Sequence, residues 1–237
     1  MVALYRDHGI VLRTHKLGEA DRIISFITEH HGKVRAVAKG VRKTRSKFGS
    51  RLEPMSHVAL QLYEGRELDI VTQAETVDHF RLIRTDLDRL TRAVSMLEAV
   101  DQMALEREPN AALYRMLLGA LRSLAARDSA LVVAGFYWKL LSLEGFRPIT
   151  EHCAMCDETE LVAFDAIEGG LLCRDHRRGT AVSAEAVGLL QQILDGRLAE
   201  ALEAPSSSAT HEVDHLATRA MEHHLERRLR SVGLLDR

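Results

Sequence analysis

The hydrophobic period of this 237-residue chain changes once, near Phe80, and that change limits the fold to a β unit followed by a helical one. Before it, runs rich in β-branched residues occupy 5–14 (YRDHGIVLRT), 22–29 (RIISFITE), 32–38 (GKVRAVA), 57–63 (HVALQLY) and 67–77 (ELDIVTQAETV). The segments between them, LGEAD and the glycine-bearing EGR among them, are turn-formers. Five such strands predict a small closed barrel over residues 1–80.

Strand count leaves two barrels open. The five-stranded OB-fold, which takes oligonucleotides on a strand face and its adjoining loops, fits the pattern. A barrel or sandwich of the SH3 type has the same signature, because topology is not written in the number of strands.

After Phe80 apolar residues recur every three or four positions. Ile83, Leu87, Leu90, Val94, Leu97 and Val100 form one stripe, which predicts a single amphipathic helix of about six turns ended by Pro109. Asn110 is placed to cap a second helix on Leu113, Leu117, Leu121 and Leu124, running to Arg127 and Asp128. Ser129 is placed to cap a third, carrying Leu131, Phe136, Leu140 and Leu143 to Gly145. Tyr137 and Trp138 lie inside that pattern and read as core. A shorter helix follows over 183–196 with a soft start, then a link at 204–208, then a helix from Thr210 through Leu229. Residues 81–237 are thus expected to form a helical bundle domain, giving an α+β protein.

The loop between the third and fourth strands is strongly basic. No acidic residue occurs between Glu29 and Glu53, while Lys33, Arg35, Lys39, Arg42, Lys43, Arg45, Lys47 and Arg51 supply eight cations. Residues 1–80 carry 13 Lys and Arg against 10 Asp and Glu, and the remainder 19 against 24, in a chain of net charge −2. Cations concentrated in a near-neutral chain mark a local site for a polyanion, and a nucleic-acid backbone is the strongest one available. The plainer reading of a charge run is a wet surface loop. Phe48, inside the run, is either a base-stacking residue or a loop anchor.

The three cysteines fall in one motif. Cys153, Cys156, Cys173 and His176 are spaced C-x2-C-x16-C-x2-H, and the segment between the pairs is long enough for a hairpin that folds them together. Four such donors suit one structural Zn2+, since a filled Cys3His set leaves no open position for catalysis. His152 is a spare beside the set. His211 and His215, four apart on the last helix, lack a third ligand, and the arginines at 174, 177 and 178 are left outside the polyanion site. The zinc hairpin, at about 150–180, reads as an insertion in the helical domain.

Taken in order, the basic barrel, helices, inserted zinc hairpin and returning helix resemble RecO, the bacterial recombination mediator family. The stretch DHGIVLRTHKLGEADRIISFITEHHGKVRAVAKGVRK, the LEGFRP before the zinc element and the cysteine pairs carry the resemblance. His176 departs from the fourth cysteine of many members. The resemblance implies a non-catalytic protein whose OB-fold binds single- and double-stranded DNA and which anneals complementary strands. It further implies work with RecR, single-stranded DNA-binding protein and, indirectly, RecA, whose loading onto coated single strands it assists.

The sequence argues against other classes. It has no G-x-x-x-x-G-K-[ST] loop for nucleotide-driven work, and no H-x-E with P-C-x-x-C as a zinc deaminase requires. No run of 18 apolar residues suggests a membrane span, and the charged N-terminal stretch MVALYRDHGIVLR suits a cytoplasmic protein rather than a secreted one; the resemblance implies a bacterial, nucleoid-associated setting. A zinc-stabilised RNA-binding or transcription-associated module is the alternative reading.

Overall fold

The computed structural model describes residues 3–127, 129–226, 228 and 229. Asp128 and residues 230–237, the end of the expected helical domain, lie outside the described residues. Two compact units are present, divided between Ala125 and Ala126.

The first unit is built on β1 (Leu4–Leu17), β2 (Asp21–Thr28), β3 (Gly32–Ala38), β4 (His57–Tyr63) and β5 (Asp69–Asp78). They close a barrel in the order β1-β2-β3-β5-β4, with β4 returning to β1. Every pairing is antiparallel except β3 with β5, which is parallel. This is the OB arrangement, and the parallel pair settles the choice that strand count left open. Closure depends on β1, whose first half pairs with β4 and whose second half pairs with β2. A register shift between Val11 and Arg13 bends the strand from one partner to the other. Alternating residues such as Val11, Ile24, Phe26, Val34, Ala36, Val58, Leu60 and Val71 fill the interior.

Helix α1 (Arg81–Arg84) and helix α2 (Leu87–Met103) replace the single helix expected there. Asp86 accounts for the break: extended at φ −126°, it accepts from the N–H of Arg89 and caps α2. The buried side of α2 carries Thr91, Ala93, Ser95, Met96, Leu97, Ala99 and Val100, whereas Leu87 and Val94 of the expected stripe are exposed. Small residues let α2 lie close on the strands. At its end Asp101 takes Arg13 at 2.8 Å and Lys33 at 3.3 Å. Helix α3 (Ala111–Ala126) begins after Asn110, whose side chain accepts from Leu113 N as expected. Tyr114 on α3 makes a buried 2.7 Å hydrogen bond with His57 of β4.

The second unit holds α4 (Val132–Leu143), β6 (Leu161–Asp165), β7 (Gly170–Cys173), β8 (Thr180–Ala181), α5 (Ala184–Leu194), α6 (Leu198–Ala201) and α7 (Ser208–His224). Helices α4, α5 and α7 pack together, so the chain leaves the helical layer after α4, makes a small sheet, and returns. Tyr137 and Trp138 are buried in this core, as their place in the helix pattern implied. Strands β6 and β7 form the hairpin expected between the cysteine pairs, and β8 adds a third strand that the sequence did not announce. Ser183 caps α5 by accepting from Ala186 N, a firmer start than the missing capping box suggested. The link at 204–208 ends in a cap as well: Ser207 and Thr210 form a reciprocal box at the start of α7.

Candidate metal centre and nucleic-acid interface

The hairpin brings the four donors of the second unit together. Cys153 N donates to Glu158 O at 2.7 Å and Cys156 N to Cys153 O at 3.2 Å, which folds the first pair into a tight turn. Ala154 N donates to Leu171 O at 2.8 Å, tying that turn to β7, whose last residue is Cys173. Gly170 permits the close approach, because a Cβ there would stand 2.6 Å from the carbonyl oxygen of Ile149. The three Sγ atoms and a nitrogen of His176 lie within 4.8 Å of one another.

Four of the six separations within the quartet are close to those of a tetrahedral ion's ligands. His176 Nδ1 is 3.6, 3.5 and 3.4 Å from the Sγ atoms of Cys153, Cys156 and Cys173, and Cys156 Sγ is 3.9 Å from Cys173 Sγ. Zinc bonded to sulfur at about 2.3 Å and to nitrogen at about 2.0 Å sets tetrahedral edges of about 3.8 Å between sulfurs and about 3.5 Å from sulfur to nitrogen. The residues therefore fit a single small dication. Electrostatics point the same way. Burial opposes ionisation of Cys153, but N–H groups of Cys173 and Met155 and the His176 ring bring its thiol down to about 6. At Cys156 the Glu158 N–H favours the thiolate, yet burial and the neighbouring Cys153 and Cys173 push the thiol up. A second thiolate is disfavoured until a cation balances the first. His152 Nδ1 faces the carbonyl of Cys153 at 3.0 Å, outside the quartet. Arg174 and Arg178 pair with Glu160 and Glu168, beside the sheet.

In the first unit the eight cations divide into two sets. Lys33 and Arg35 are on β3. Lys33 is 8% exposed and occupied by Asp101, through its carboxylate and its carbonyl, while Arg35 reaches Glu106 at 3.4 Å. The acids that neutralise them sit some seventy residues later, in α2 and the segment after it, so the stretch itself gives no sign of the pairing. Lys39, Arg42, Lys43, Arg45, Lys47 and Arg51 are exposed on the loop after β3.

That loop is a fixed feature of the barrel. Phe48, 1% exposed, and Leu52 belong to the interior cluster of the strands. Phe48 is thus a loop anchor and not a base-stacking residue. Lys47 stands 4.9 Å above its ring and donates to Thr72 O at 2.9 Å, and Arg51 donates to Lys47 O at 2.6 Å. The side chains of Lys39, Lys43 and Arg45 have no hydrogen-bond or ion-pair partner among the described residues. Of the six cations on this rigid platform, the three unengaged ones can contact phosphates without first breaking internal bonds, while Arg42, Lys47 and Arg51 hold backbone carbonyls. Lys16, exposed at the end of β1, adds a cation that sequence reasoning missed; its pairing with Arg22 in β2 was the signal that only the register could give.

No described helix is long and apolar enough to cross a membrane. Residues 1–80 match the family model for the N-terminal part of recombination protein O, and residues 84–232 the model for its C-terminal part. A protein named DNA repair protein RecO, from Nocardioides sp. strain JS614, is 44% identical over 244 residues, covering 99% of this chain and 100% of that protein. With both models matched and a relative aligned from end to end, the chain belongs to the recombination protein O (RecO) family.

Proposed function

We propose that this protein serves DNA repair by binding single- and double-stranded DNA through the loop cations Lys39, Arg42, Lys43, Arg45, Lys47 and Arg51. On this reading it anneals complementary strands and, with RecR, helps load RecA onto single strands coated by single-stranded DNA-binding protein. The observation that carries it is an anchored, exposed, six-cation loop on an OB barrel in a chain of the RecO family. Lys33, already neutralised by Asp101, shapes the barrel and stays outside the interface, and Arg35 is its margin.

Phosphate contacts fix position and carry no base sequence, so the protein binds without sequence preference. Annealing follows from charge: two strands that repel each other approach more closely once both are screened by the same surface. Cys153, Cys156, Cys173 and His176 hold one Zn2+, which supplies cross-linking of the hairpin and no reactive position. Salt dependence tests the binding step. If about four cations touch a single strand, log K falls against log salt with a slope of roughly −3, and replacing Lys39, Lys43 and Arg45 by alanine brings it to roughly −1. A variant slope equal to that of the wild type places the DNA elsewhere.

A further inference from the structure

An acidic residue fixes the root of the basic loop. Gly40 N donates to Asp21 Oδ1 at 2.7 Å, just after β3 ends. The neighbouring bonds go to the same turn between β1 and β2: Arg42 N to Ala20 O at 2.9 Å and Arg42 Nη1 to Gly18 O at 3.2 Å. Gly40 has φ +68°, in the left-handed region, so a backbone suited to glycine aims this N–H at the carboxylate.

On charge alone Asp21 is misplaced, because a carboxylate beside cations weakens their hold on phosphate. Nor does it serve as an ion-pair partner: Arg22 pairs with Glu53, and Asp21 has no ion pair among the described residues. Its bond to Gly40 is what it contributes. That bond sets the loop against the β1–β2 turn, where the register places Lys16 opposite Arg22 and Arg22 opposite Ala38, one row in from Asp21. Lys16 is exposed, and its side chain has no hydrogen-bond or ion-pair partner among the described residues.

Resting on the nucleic-acid reading above, we propose that Asp21 is a positioning residue for that surface. By holding the Gly40 N–H it fixes the loop beside the β1–β2 turn, so that Lys16 joins Lys39, Lys43 and Arg45 on one phosphate backbone. The two roles open to Asp21 have opposite signs. A bystander carboxylate, once removed in any way, leaves binding tighter. A positioning carboxylate, once removed, leaves it weaker unless the replacement still accepts the bond.

The experiment measures affinity of the full chain for an oligothymidylate at several salt concentrations, for wild type, Asp21→Ala, Asp21→Asn and Lys16→Ala, with hydrogen exchange at the Gly40 amide. Asp21→Ala is expected to bind about fivefold more weakly, the worth of one hydrogen bond, and to expose the Gly40 amide to exchange. Asp21→Asn, which keeps an acceptor and loses the charge, is expected to bind within about twofold of wild type or more tightly. Lys16→Ala is expected to lower the salt slope by about 0.7. Asp21→Ala binding as tightly as wild type overturns the proposal, and so does Asp21→Asn binding as weakly as Asp21→Ala. Melting curves show that each variant is folded, and Asp21→Asn preserves the test if Asp21→Ala is not. Failure of the underlying reading looks different: wild type itself does not bind, or loss of Lys39, Lys43 and Arg45 changes nothing.

Discussion

Replacing Cys153 by serine is expected to remove one equivalent of zinc and to lower the melting temperature by roughly 10 °C or more. The His176 nitrogen stands 3.4 to 3.6 Å from all three sulfurs, close to the edges of a coordination tetrahedron, and the local chain offers little else to hold the four donors there. The first turn rests on a few backbone bonds, and Cys153, buried at 1% exposure, sits where its thiol is already drawn towards thiolate. Structural zinc stabilises small isolated domains by about 10 to 16 kcal/mol at neutral pH, and even a fraction of that is large beside the net stability of a domain, about 5 to 15 kcal/mol. The hairpin lies between α4 and α5, so loss of the ion loosens the segment joining two helices of the same core. Metal analysis and thermal unfolding of the variant, beside wild type treated with a chelator, check this. Full loss of metal with an unchanged melting temperature contradicts it.

Gly32→Ala is expected to destabilise the first unit by about 3 to 5 kcal/mol, near the upper end for one substitution. Gly32 has φ +66°, and a Cβ built there would stand 1.8 Å from the carbonyl oxygen of Glu108 and 2.4 Å from its carbon. The obstacle is backbone, and that backbone is itself fastened: Arg107 N donates to Lys33 O at 2.9 Å, and the Arg107 guanidinium reaches Asp69 at 2.7 Å. Asp69 also accepts from the hydroxyl of Tyr5 and, at 3.0 Å, from Gly65 N, so displacing the segment disturbs three strands and a turn. Gly18→Ala is the matched control. Its φ is +55° and nothing lies within 4 Å of the added methyl group, so it carries only the left-handed penalty of about 1 to 2 kcal/mol. Chemical unfolding of the two variants should separate them clearly. Equal losses would mean that the segment through Glu108 yields freely.

The parts of the fold written in local pattern were the legible ones. Strands β3 and β4 and the end of α4 before Gly145 follow from alternation and from one glycine. The cysteine pairs announced their own hairpin, because ligand spacing is a local property of the chain. What could not be read depends on partners far along it. Lys33 and Lys39 look alike in the sequence, yet one is buried against Asp101 and the other is free, a difference made by α2 folding onto the strands. Leu87 and Val94 promised a buried stripe, but the close seating of α2 on the barrel favours Ala93, Ser95 and Ala99 instead. Phe48 presented two readings until the barrel interior claimed its ring. The change of period at Phe80 marks where strands give way to helices, while compactness continues to Ala125 for the same reason that Lys33 is buried.

On the reading proposed above, the loop cations bring DNA strands together. Annealing of complementary oligonucleotides, bare and then coated with single-stranded DNA-binding protein, is followed for wild type and for a variant with Arg42, Lys43, Arg45 and Lys47 replaced by alanine. Wild type is expected to anneal both substrates, and the variant, folded by its melting curve, to be slower by about a hundredfold or more, because several phosphate contacts are lost together. A folded variant that anneals at the wild-type rate would place strand annealing away from this loop, and a wild type that binds DNA without annealing it would remove annealing from the protein's function.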